Sequence, residues 1–223
     1  MCGRFTFAIS PELLAEVFCV TIHGDFSPRF NIAPTQQVLT IRGTEAGNRA
    51  AFMRWGLIPS WAKDPSIGSR MINARCESVH EKPAFWTAIR YRRCIIPANG
   101  FFEWKEEGGK KHPLYVRMKD DAIMGFAGIW DHWKNPEGEA LETCSILTTA
   151  SNRLIQPLHN RMPVILHPEE FDLWLDREAT DPERLKTLYQ PYPADLVEMY
   201  PVSTLVNNPR NDSPECIDPL IEP

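Results

Sequence analysis

Apolar positions in this chain fall mostly into short alternating or continuous runs, which predict strands, and only rarely at helical spacing. Residues 4–8 read as a first strand. Ser10-Pro11-Glu12 ahead of Leu13-Leu14-Ala15-Glu16-Val17-Phe18 predicts a helix with Ser10 as N-cap and Pro11 in the first turn. Residues 29–35 read as a loop, because Pro34 drives Ala33 toward extended geometry, and this loop leads into a strand at 37–41. A turn over 43–48 and a strand at 51–55 follow, then the stiff loop Gly56-Leu57-Ile58-Pro59-Ser60-Trp61. Residues 70–77 show no strong periodicity, and a short helix is expected over 83–91. Buried strands at 92–97 and 100–105 are joined by an Ala98-Asn99 turn, and 106–111 form a hairpin loop returning to a strand at 114–118. Strands at 123–130 and 143–149 bracket a polar loop, 152–155 give one helical turn, and 161–166 a further strand. Helices near 168–175 and 182–189 precede a last strand at 196–202. Short strands with helices inserted in no βαβ rhythm predict an α+β fold, a curved, barrel-like, mainly antiparallel sheet with helices packed around it. With no repeat and no long linker, residues 1–223 are expected to form a single domain.

Composition narrows the class without changing that picture. A hydrophobic share of 43% and a charged share of 24% are ordinary globular values and exclude a wholly disordered chain. No apolar run approaches the roughly 18 residues of a membrane span, and the first residues lack a basic segment followed by an apolar core. The six cysteines (Cys2, Cys19, Cys76, Cys94, Cys144, Cys216) have no CxxC spacing, so reduced thiols in the cytoplasm are expected. The net charge of −5 hides an asymmetry. Residues 54–112 carry eleven Lys and Arg against six Asp and Glu, whereas 168–223 carry four against thirteen. The first region has the charge to face phosphates; both are equally the solvated faces of an ordinary domain.

There is no GxGxxG, P-loop, HExxH or GxSxG, and the six histidines show no metal-ligand spacing, so neither metal nor cofactor is expected. The chemistry that remains starts at Cys2. Methionine before so small a residue is normally trimmed, and trimming Met1 leaves an α-amine (pKa about 7.7–8.0) beside a thiol (about 8.5). An amine condenses with an aldehyde to an imine, and a thiol on the adjacent carbon closes a thiazolidine onto it; the bland alternative is that Cys2 only begins a strand. Glu103 between Phe102 and Trp104 is either buried with a raised pKa, fit for proton transfer, or turned outward by strand alternation, and the rarity of buried Glu favours the outward placement. His159, just ahead of a strand, is either a proton shuttle or a histidine satisfied in a turn. Asn73 either orients a substrate or bonds turn backbone. Arg4, Arg75 and Arg161 each stand two residues from Cys2, Asn73 and His159, which would set a phosphate ligand beside each reactive group.

With these residues in hand, the sequence resembles the SOS-response-associated peptidase (SRAP) family over essentially its whole length. The resemblance rests on six segments in order: Met1-Cys2-Gly3-Arg4-Phe5, Asn31-Ile32-Ala33-Pro34, Trp55-Gly56-Leu57-Ile58-Pro59-Ser60-Trp61, Ile72-Asn73-Ala74-Arg75-Cys76-Glu77, Gly100-Phe101-Phe102-Glu103-Trp104 and Leu158-His159-Asn160-Arg161-Met162-Pro163. It implies an abasic-site processing protein of the DNA damage (SOS) response, which binds single-stranded DNA and crosslinks covalently to abasic sites through Cys2. By motif match it carries over Cys2 as nucleophile with Asn73, Glu103 and His159 as catalytic companions. It also carries over Arg4, Arg75 and Arg161 as phosphate ligands, and Pro34, Trp61 and Thr148 as walls meeting base or sugar. Asn160 departs from the acidic residue expected in many relatives, which touches the charge tuning of His159. The expected setting is a cytoplasmic monomer, nucleoid-associated in a bacterium, with replication-fork proteins as candidate partners and no membrane contact. The alternative is an N-terminal cysteine peptidase, a hydrolase acting on its own Met1 or on other peptides; a third reading is a non-enzymatic reader of modified cytosine.

Overall fold

A computed structural model describes residues 2–22 and 26–220. Met1, whose trimming the sequence reading expects, and His23 lie outside them. In chain order the elements are β1 (Phe5–Phe7), α1 (Pro11–Phe18), β2 (Val20–Thr21), β3 (Arg29–Ile32), β4 (Gln37–Thr44), β5 (Gly47–Trp55), β6 (Asn73–Arg75), α2 (Trp86–Tyr91) and β7 (Arg93–Ala98). There follow β8 (Gly100–Glu107), β9 (Lys110–Met118), β10 (Met124–Lys134), β11 (Ala140–Ala150), β12 (Arg161–Pro163), β13 (Ile165–Leu166), α3 (Phe171–Leu175), α4 (Pro182–Lys186) and β14 (Val197–Pro201).

Local signals account for many of these boundaries. The Ser10 hydroxyl accepts from the Leu13 amide at the start of α1, and Cys19 ends that helix in the left-handed region at φ 48°. Gly108 and Gly109, at φ 57° and 74°, supply the two positive-φ positions of the tight turn between β8 and β9.

The strands make two sheets, nearly all antiparallel, with the helices around them, an α+β architecture. In the larger sheet β4 pairs with β5 and β7, β7 with β10, β10 with β11, and β11 returns to β5 through the parallel register Thr143↔Arg54 and Cys144↔Trp55. These five strands therefore close a ring, the barrel of the fold. A second, five-stranded sheet has the order β14-β9-β8-β1-β3. Phe5 of that sheet packs edge-on against Trp55 (5.1 Å) and Phe126 (5.9 Å) of the barrel, and Phe101 meets Phe126 at 6.0 Å. All four rings are at most 1% exposed. Each such pair adds about 0.5–1.5 kcal/mol beyond its area burial, so this cluster holds one sheet onto the other.

Four sequence expectations are corrected here. Residues 29–35 are not all loop: Arg29–Ile32 is an edge strand on β1, and Pro34 acts only after it, opening a turn in which Thr35 sits at φ 72°. Residues 70–77 contain β6, three residues paired in parallel with Ile146–Thr148 of β11, too short to show a period. Residues 161–166 are two strands, because at Val164 the chain crosses from β11 to β10: its amide donates to Leu147 O of β11 and its carbonyl accepts the Ala127 amide of β10. At Asn99 the chain does not make a hairpin. It passes from the barrel to the second sheet, pinned by Asn99 N–H to Thr6 O (3.0 Å) and Ala8 N–H to Asn99 Oδ1 (2.6 Å).

Gly56 closes the seam between the end of β5 and the segment leading to β6. It has φ 126°, and a Cβ there would lie 2.6 Å from Gly68 O. Gly56→Ala is expected to lower unfolding stability by about 2–4 kcal/mol in urea titration, from backbone strain and steric overlap together.

Candidate active site

The register of the second sheet brings the N-terminus to Glu103. Phe5 pairs with Phe101 and the Phe102 amide donates to Arg4 O at 3.0 Å, so the same register two residues on sets Glu103 level with Gly3, beside Cys2. From the barrel side, β6 carries Asn73, whose Nδ2 donates to the Cys2 carbonyl at 2.8 Å. His159 follows the turn after β11, where its Nδ1 accepts the Arg161 amide at 2.9 Å. A ring nitrogen that accepts cannot carry the proton, so the neutral imidazole is the Nε2–H tautomer. Arg4, Glu103 and His159 line one cleft of about 680 Å³, together with Trp104, Lys105 and Lys111.

Burial sets the electrostatics. Cys2 is fully buried, which pushes its thiol well above the ordinary value; the Glu103 charge adds to the rise, and the amino-terminal charge and the Arg4 amide oppose it. Glu103 is 5% exposed and burial raises its carboxyl, against the opposing amino-terminal charge. Burial first, then that same charge, holds His159 below the usual imidazole value.

The outward placement of Glu103 favoured by alternation is overturned. Phe102 is fully buried on one face of β8, in a cluster with Tyr115, Val202, Val206 and Cys216, and Glu103 is covered on the other, so β8 has no solvated side here.

The arginines differ from one another. Arg4 Nη1 donates to Asn31 Oδ1 (2.6 Å) and Val206 O (2.7 Å), and the guanidinium lies over the Trp104 ring at 5.9 Å. Arg75 is exposed at the end of β6. Arg161 is gripped by both oxygens of Glu77. Thr148 is 0% exposed, its hydroxyl donates to Ala74 O at 3.4 Å, and its carbonyl accepts from Arg161 Nη2. Pro34 is half-buried and Trp61 is 61% exposed, and no hydrogen bond among the described residues ties either to the Cys2 group. The Trp61 loop is fastened instead to β10, by Ser60 N–H to Asp131 Oδ2 (3.1 Å) and Trp133 Nε1–H to Ala62 O (2.7 Å).

A family model described as SOS response associated peptidase (SRAP) matches residues 1–209. The chain belongs to this family. Among SRAP relatives, the "Abasic site processing protein YoqW" of Bacillus subtilis is 46% identical over 222 residues, covering 98% of this chain and 99% of its own. The "Abasic site processing protein HMCES" of Gallus gallus is 35% identical over 94% of this chain and 69% of its own. The crystal structure of a Bacteroides thetaiotaomicron protein superposes with a TM-score of 0.88 at 27% identity, covering 99% of this chain and 100% of that one.

Two residues of this SRAP chain do more in the structure than the sequence signals. Asn31 is fully buried and its Nδ2 donates to Val206, Asn208 and Asn211 carbonyls while its Oδ1 holds Arg4, so it ties the C-terminal segment to the cleft. Glu77 holds Arg161. Its only sequence sign is an acid two residues after an arginine in an otherwise basic region. None of the six cysteines is in a disulfide. Among the described residues no group of three or more His, Cys, Asp or Glu is placed to hold a metal ion, and no helix is long and apolar enough to cross a membrane.

Proposed function

We propose that this SRAP protein acts in the DNA damage response by binding single-stranded DNA and capturing abasic sites covalently through Cys2, once Met1 has been removed. The observation that carries the reading is that Asn73 bonds the Cys2 carbonyl and Glu103 acts on the Cys2 thiol, while Glu103, His159 and Arg4 line one cleft. The relatives named as abasic site processing proteins support the substrate class.

The open sugar aldehyde is the electrophile. His159, with its proton on Nε2, delivers that proton to the sugar ring oxygen as the C1′–O bond breaks, and the C1′ hydroxyl gives up its own proton as the aldehyde forms, while Asn73 fixes the Cys2 backbone. Glu103 accepts a proton from the Cys2 ammonium, and the freed nitrogen attacks C1′. The carbinolamine loses water to give the imine. The thiol then adds across the C=N bond, sulfur to C1′ and its proton to nitrogen, closing the thiazolidine with water as the one leaving group. A thiol kept neutral by burial suits this second step, because its proton is needed on nitrogen. Closure removes the imine that would otherwise allow β-elimination and strand scission.

Intact mass before and after incubation with abasic single-stranded DNA tests the reading. The expected result is a protein lacking Met1 that gains the oligonucleotide less one water; no adduct, or an adduct formed with Met1 still in place, overturns it. Incubation with denatured protein tests the peptidase reading, which predicts fragments. Arg75→Ala is expected to reduce the slope of log affinity against log salt by about 0.7, the single-strand value per phosphate. An unchanged slope removes Arg75 from the strand backbone.

A further inference from the structure

Arg161 already holds an anion. Its Nη1 donates to Glu77 Oε1 at 2.5 Å and its Nη2 to Glu77 Oε2 at 2.9 Å, a two-pronged pair, and Nη2 also donates to the Thr148 carbonyl. The partners are unequally buried: the Arg161 side chain is 12% exposed and that of Glu77 55%. Arg161 belongs to β12, laddered onto β11 through Ala150↔Arg161, and is anchored by a strand carbonyl. Glu77 lies in the turn after β6, with more than half its side chain in water. The cation is therefore the fixed member and the carboxylate the exchangeable one.

A backbone phosphodiester offers the guanidinium fork what a carboxylate offers, two oxygens side by side sharing one negative charge. We infer that Glu77 is a resident stand-in for a strand phosphate: it occupies the Arg161 fork in the free protein and swings into water when single-stranded DNA binds. The inference rests on the reading of this chain as a single-strand binder and adds a residue that decides which anions are admitted. An isolated anion meets a fork already filled and gains little by displacing a carboxylate of equal charge. A strand held at the same time by Arg4 and Arg75 presents its phosphate to Arg161 at high effective concentration and wins the exchange. Glu77 thus favours extended strands over loose phosphates.

Anisotropy with a labelled undamaged oligothymidylate tests this. Glu77→Gln keeps the side chain's shape and removes its charge, and is expected to tighten binding roughly 2- to 5-fold, the upper part of the range for releasing one partly exposed ion pair. Glu77→Ala should do the same, with melting curves confirming that both variants fold. In an Arg161→Ala background the gain should vanish. Unchanged or weaker binding by both variants overturns the inference, as does a gain that persists without Arg161, which would be general charge attraction. A wild-type protein that binds no single-stranded DNA overturns the parent reading instead. One that binds DNA and forms the adduct while the Glu77 variants show no gain overturns this inference alone.

Discussion

Cys2→Ser is expected to abolish the heat-stable adduct with abasic DNA while preserving an imine that borohydride traps. Serine keeps the α-amine, so attack on C1′ and loss of water proceed. Its hydroxyl is a far weaker nucleophile than a thiol, and the ring closure that protects the linkage fails. Denaturing gels with and without borohydride separate the two steps: full adduct after reduction, none after heating without it. A heat-stable adduct at wild-type yield from the serine variant would take sulfur out of the mechanism.

Glu103→Gln is the second large effect, and it should move rate and stability in opposite directions. Glutamine preserves the shape of the side chain but cannot take a proton from the Cys2 ammonium, so single-turnover adduct formation should slow by about 10²- to 10⁴-fold. Stability follows from the raised carboxyl. Folding lifts the pKa above the unfolded value of about 4.5, so across the window from there up to the folded value the native state binds more protons than the unfolded one. Stability then falls as pH rises through that window, and above it the native state carries the full burden of a buried charge. Removing the charge should flatten that slope and raise the melting temperature at neutral pH. A variant that loses both rate and stability would mean that Glu103 holds the N-terminus in place and does not serve as a base.

The parts of the fold legible in sequence are those decided by neighbours in the chain. The Ser10 cap, the Gly108-Gly109 turn and the strand runs each follow from a few adjacent residues. The parts that were not legible depend on partners far away. Nothing in Asn73-Ala74-Arg75 marks a strand, because three residues acquire that conformation only when β11 supplies the ladder. Alternation misplaced Glu103 because the rule assumes a wet face, and β8 is covered on both sides at that point. The motif match drew Cys2, Asn73, Glu103 and His159 into one group; in the structure Asn73 bonds the Cys2 carbonyl, and Glu103 and His159 line one cleft. It also carried over Thr148 as a wall meeting base or sugar, and that residue is fully buried, paired through β11 with Arg75 of β6. Glu77 and Asn31 stood inside the matched segments without a role, because what they do is visible only in the arginines they hold.

The closing of the ring through β5 and β11 has a kinetic consequence. These strands are far apart along the chain and meet side by side in parallel, so the loop entropy of the long intervening segment must be overcome before the pairing is rewarded. Adjacent hairpins such as β4–β5 and β10–β11 can form early, and the seam that joins them comes late. During synthesis Cys2 precedes His159 by more than half of the sequence, so under the proposed mechanism the nucleophile waits for its proton-transfer partner. Under the proposed mechanism, a half-made polypeptide therefore carries Cys2 without the residues that would put it to use.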